Sequence, residues 1–69
     1  MDADYYCLKV HFSIFKWAYV KCIYWHRNEI VYTKDFDDAG DFGSYERAQE
    51  VAEFLENEPG IAYVEIIEG

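Results

Sequence analysis

The sequence predicts an α+β fold: a small antiparallel sheet in β-β-β-α-β order, with one amphipathic helix packed on one face. Three observations predict it. Apolar and polar residues alternate from Leu8 onward, the period of a half-buried strand. Ala48, Val51, Ala52 and Leu55 recur at the spacing of one helix face. Clusters of Asn, Asp, Gly and Pro separate these segments and break regular structure. The 69 residues make one domain, 1–69. A chain this short buries only about 60% of the surface it exposes when unfolded. Its seven Tyr, five Phe and two Trp offset this by supplying large buried areas per residue.

In the first strand Leu8, Val10, Phe12 and Ile14 face one way, and Cys7, Lys9, His11 and Ser13 the other. A turn at Ile14-Phe15-Lys16, without Gly or Pro, leads into a second strand from about Trp17 to His26. Pairing Val10 with Val20 sets Leu8 opposite Cys22 and Phe12 opposite Ala18, all on one side. His26-Arg27-Asn28-Glu29 is the next turn, with Asn28 able to take positive φ. The third strand runs from about Ile30 to Phe36, and residues 37–43 form a loop. Ser44 caps a helix over residues 45–57, Glu46 lies in its first turn, and Pro59-Gly60 ends it. A last strand covers Ile61 to Ile67. With the helix on one face, the other is expected to hold Lys9, His11, Trp17, Tyr19, Lys21, Ile23 and Trp25, together with Ile30 and Tyr32. An open aromatic patch of this kind marks a binding or self-association surface. A register shifted by one residue, or termini that cover this face, is the ordinary alternative.

The formal charge of −8 is unevenly spread. In residues 1–34, five basic against three acidic groups leave +2; in residues 35–69, one basic against eleven acidic groups leaves −10. The acidic half repels nucleic acid and anionic membrane and attracts surfaces rich in Lys and Arg. The first residues, Met-Asp-Ala-Asp-Tyr-Tyr, lack the basic and apolar regions of a signal peptide, and no apolar run reaches bilayer length. Two cysteines are too few for a disulfide scaffold, so the expected compartment is the cytoplasm.

Candidate sites concentrate in the acidic half. Glu46, Glu50 and Glu53 lie at i, i+4 and i+7, opposite the apolar stripe. Asp37, Asp38 and Asp41 precede them, and Glu56 follows. The glutamates repeat every 5–6 Å or so along the axis, close to the spacing of backbone phosphates. A solvated helix face is the ordinary alternative, but such faces mix signs, and only Arg47 relieves this one.

Three letter patterns carry less. Asp35, Asp37, Gly40 and Glu46 fall at positions one, three, six and twelve of a calcium loop, but Ala39 removes a ligand and the preceding segment is β-prone. Cys7-x3-His11 and Cys22-x3-His26 match a zinc quartet in letters, yet strand residues four apart lie about 13 Å from each other. The expected register also sends the two pairs to opposite faces. Asp41-Phe42-Gly43 matches a kinase tripeptide in a chain too short for that fold. No metal, cofactor or catalytic constellation is expected.

In its length, its acidic second half (Asp37, Asp38, Asp41, Glu46, Glu50 and Glu53) and its sheet-plus-helix plan, the chain resembles small phage-type anti-CRISPR proteins. The resemblance implies a non-enzymatic inhibitor in the bacterial host cytoplasm. Such a protein mimics DNA and blocks the basic DNA-recognition surface of a CRISPR effector, a type I complex being one such target. On this reading the chain binds neither nucleic acid nor membrane directly and is a monomer or weak dimer. The alternative is a nucleic-acid-binding or self-associating module using the aromatic and lysine-bearing sheet face, with Lys9, Lys21, Lys34, Trp17, Tyr19 and Trp25 as stacking and cationic groups.

Overall fold

A computed structural model describes residues 5–69. Strands β1 (Tyr6–His11), β2 (Trp17–Tyr24) and β3 (Glu29–Thr33) precede helix α1 (Tyr45–Glu56), and β4 (Tyr63–Glu68) follows it. The order is thus the expected β-β-β-α-β. One antiparallel sheet holds the strands as β3-β2-β1-β4, so the last strand pairs with the first. Leu8, Val10 and Val20 from the sheet meet Ala48, Val51, Ala52 and Leu55 from the helix, all buried. Ser44 caps the helix, its Oγ accepting the Arg47 N–H at 3.1 Å. Asn57 closes the other end, and Gly60 takes φ 88° beyond it.

The β1–β2 register differs from the expected one by two residues: Val10 pairs with Ala18, and His11 with Trp17. Ser13 is the reason. Its hydroxyl accepts the N–H groups of Phe15 (3.3 Å) and Lys16 (3.2 Å), while Phe12 N–H donates to Lys16 O at 2.8 Å. A serine thus supplies turn chemistry ordinarily supplied by Gly or Asn, and the turn centres on Ile14. Because a strand repeats every two residues, this shift leaves the β1 side chains and those of Trp17–Val20 on their expected faces. Ile14 itself leaves the sheet and stands in solvent.

A second correction has a different cause. The β2–β3 pairing runs Tyr19–Thr33 and Val20–Tyr32, then Cys22–Val31 and Ile23–Ile30, with Lys21 as the extra residue of a bulge. The bulge reverses the alternation beyond it. Ile23, Ile30 and Tyr32, expected on the open face, therefore pack against the helix-side core. Trp25 begins a short 3-10 turn, closed by Asn28 at φ 55°, and its ring meets Phe54 of the helix at 5.2 Å. Cys22 moves the other way and joins Cys7 on the open side.

The link from β3 to α1 runs through the sheet. Beyond Lys9–Tyr19 the ladder between β1 and β2 stops. Gly40 N–H donates to Val20 O (2.9 Å) and Phe42 N–H to Tyr6 O (2.9 Å), so residues 40–42 occupy the gap between the two strands. Phe36, before the gap, lies on Tyr5 and Tyr19 of the open face; Phe42, after it, joins the helix-side core. A Cβ on Gly40 would overlap Lys21 O. The glycine is therefore required by close backbone approach and not by its φ.

Candidate functional site

All seven carboxylates singled out in the sequence are exposed, but the passage through the sheet divides them. Asp37 and Asp38 sit in a one-turn 3-10 helix (Phe36–Asp38) on the open side, capped by Asp35 Oδ1 on the Asp37 N–H at 3.0 Å. Asp38 pairs with Lys21 of β2 at 3.1 Å. Asp41 lies in the gap, where its Oδ1 accepts from Tyr6 N–H (3.2 Å) and Gly43 N–H (2.9 Å). It fastens the crossing chain, a role its position in the sequence does not disclose. Glu56 ends the helix with its Oε2 accepting the outward N–H of Val64 on edge strand β4 at 3.3 Å.

Glu46, Glu50 and Glu53 remain together on the outward face of α1, opposite the buried Ala48, Val51, Ala52 and Leu55. Arg47 reaches Glu50 at 3.2 Å; Glu46 and Glu53 make no ion pair among the described residues. Three of the four lysines are engaged on the far side of the sheet. Lys9 and Lys34 place their ammonium groups 4.3 and 4.1 Å from the Trp17 ring centre, and Lys21 holds Asp38. The sheet's own thickness therefore separates the helix carboxylates from these cations.

The open face carries a file of rings. Trp17 meets Tyr19 at 5.3 Å, Tyr19 meets Phe36 at 5.5 Å, and Phe36 meets Tyr5 at 5.8 Å. Nearer the β4 edge, His11 stacks on Tyr63 at 4.2 Å and pairs with Glu65 at 3.1 Å. Much of this face is thus committed internally. Its three lysines are also matched by Asp35, Asp37, Asp38 and Glu65 on the same side, so it lacks the excess positive charge that a nucleic-acid groove needs.

Neither letter pattern for a metal acquires geometry. Asp35 and Asp37 lie on the open side, Gly40 in the gap and Glu46 on the helix. The two cysteines share a face, contrary to the expected register, but both are free. Among the described residues no group of three or more His, Cys, Asp and Glu converges to hold a metal ion. No described helix is long and apolar enough to cross a membrane. Burial raises the Cys7 thiol above its ordinary pKa, and Asp41 adds to the rise.

No family model matches the sequence, and comparison with curated proteins and with solved structures gives no match.

Proposed function

We propose that this protein is a non-enzymatic binding protein whose outward helix face docks on a cationic groove built to hold nucleic acid. The observation that carries the reading is the row Glu46, Glu50 and Glu53, relieved only by Arg47, with the sheet lysines held on the opposite side. Carboxylates so placed meet Arg and Lys in charge-assisted, often bidentate, hydrogen bonds. Tyr45 and Phe54 flank the row, half-exposed, and supply aromatic contact area at its rim. Asp41 and Glu56 act within the fold, and Asp37 and Asp38 extend the negative field on the other side. The docking set is therefore narrower than the seven residues together. The resemblance to small acidic anti-CRISPR proteins makes the DNA-recognition surface of a CRISPR effector the first partner to test, with inhibition by exclusion of target DNA.

The test is affinity capture from a bacterial lysate, run in parallel with the triple variant Glu46→Lys, Glu50→Lys, Glu53→Lys. The expected result is a retained nucleic-acid-binding protein that duplex DNA releases and the variant fails to hold, with an unchanged far-UV spectrum. Equal retention by the variant, or a captured partner indifferent to DNA, removes the proposal. The two lysines around Trp17 are the one feature favouring the sheet face as a single-strand interface; filter binding with single-stranded RNA distinguishes that reading.

A further inference from the structure

The β1–β2 turn presents two large apolar side chains to solvent, with no described residue packed against them: Ile14 is 89% and Phe15 86% exposed. The turn fixes them there, since Ser13 Oγ holds both the Phe15 and the Lys16 N–H. Tight hairpin turns favour Gly, Asn and Asp. Neighbouring bulky apolar residues at such a tip serve neither the turn nor the core.

At the opposite end of the sheet, Tyr5, Phe36 and Gly69 line an open cavity of about 240 Å³, with Asp37 beside it. Tyr5 and Gly69 are joined across the β1–β4 pair by Gly69 N–H to Tyr5 O at 2.8 Å. Phe36 is held against Tyr19 beneath it. The depression is open and lined chiefly by the Tyr5 and Phe36 rings, so a phenylalanine side chain laid in it gains apolar and edge-to-face contact. The charges also match. Lys16 follows Phe15 at the tip and Asp37 borders the cavity, and neither makes an ion pair among the described residues. Knob and socket lie at opposite ends of β1, whose six residues span roughly 20 Å. A single chain cannot bring them together, but two copies can.

We infer that copies of this chain associate head to tail. Phe15 of one copy enters the Tyr5–Phe36–Gly69 cavity of the next, with Ile14 at its mouth and Lys16 beside Asp37. The contact is heterologous, so it propagates into an open chain or closes into a ring. It is also small, below the roughly 1,200 Å² of stable complexes, so the association is weak and shows at high concentration. It uses none of the helix glutamates and stands independently of the docking proposed above.

The test is sedimentation velocity on the full chain from micromolar to millimolar concentration. Wild type is expected to gain mass with concentration, and Phe15→Ser to stay monomeric with an unchanged far-UV spectrum. Lys16→Asp and Asp37→Lys should each weaken association about two- to fivefold, and the two together in one chain should restore it. A wild type that stays monomeric at millimolar concentration overturns the inference. So does association undiminished in Phe15→Ser, or a double charge variant that recovers nothing. Loss of lysate capture in Phe15→Ser from a wild type that never self-associates would instead place the knob in a partner's pocket.

Discussion

Tyr32 sits with its ring edge-on to Phe12 at 5.2 Å, against the helix-side core. Burial raises its phenol above the ordinary 10.0, and Glu58 adds to the rise. Tyr5 and Cys7 move the same way, burial again the first cause. Above their ordinary pKa values the unfolded chain gives up these protons while the folded chain keeps them. The unfolded state then binds fewer protons, so stability falls as pH rises. Lys21 acts in the same direction: the Asp38 hydrogen bond raises it above 10.5, and its contribution is present below that value and lost through the folded pKa. Thermal unfolding should therefore show a melting temperature that declines from about pH 9 upward. Tyr32→Phe should flatten the part above about pH 10. A wild-type profile level through pH 11 or so contradicts this account.

At the scale of elements, two small residues bound the segment that carries the chain from sheet to helix, and they differ in what they do. Ser44 satisfies one helix N–H, and its loss in Ser44→Ala should cost about 1 kcal/mol. Gly40 lies where β1 and β2 part, with no room for a Cβ against Lys21 O. Gly40→Ala forces the bulge or the ladder to move and should cost about 3 kcal/mol or leave the chain unfolded. Urea unfolding of both variants measures the contrast, and similar midpoints would show that the passage through the sheet yields easily. The same passage explains why the acidic residues clustered in sequence between Asp35 and Glu56 do not form one surface. The chain changes sides at Gly40, leaving Asp37 and Asp38 behind it and Glu46 ahead.

The whole molecule separates charge across its sheet, with carboxylates relieved only by Arg47 outside the helix and lysines bound to Trp17 and Asp38 on the far side. The two proposed contacts consequently respond to salt in opposite ways. Docking of the helix on a cationic groove draws on opposite charges and should weaken as salt shortens the screening length to about 8 Å at physiological strength and less beyond it. Head-to-tail association brings together molecules of charge −8 through an apolar knob, so screening relieves their repulsion and association should hold or strengthen. Capture and sedimentation repeated from about 0.05 to 0.5 M salt report the two trends separately. Parallel weakening of both would mean that the Lys16–Asp37 pair, and not the apolar knob, dominates the self-contact.

Periodicity by itself determined the order of elements, the helix with its Ser44 cap, and the β1 and α1 residues that meet in the core. Each of these depends on side chains a few residues apart. The i, i+4, i+7 row of Glu46, Glu50 and Glu53 was legible for the same reason. Only the tertiary structure decided the Lys21 bulge, the gap between β1 and β2, and the sides to which Ile23, Tyr32, Cys22 and the acidic residues go. A bulge and a chain crossing depend on backbone groups brought together from β1, β2 and residues 40–42. No local pattern of side chains encodes which of those strands will part.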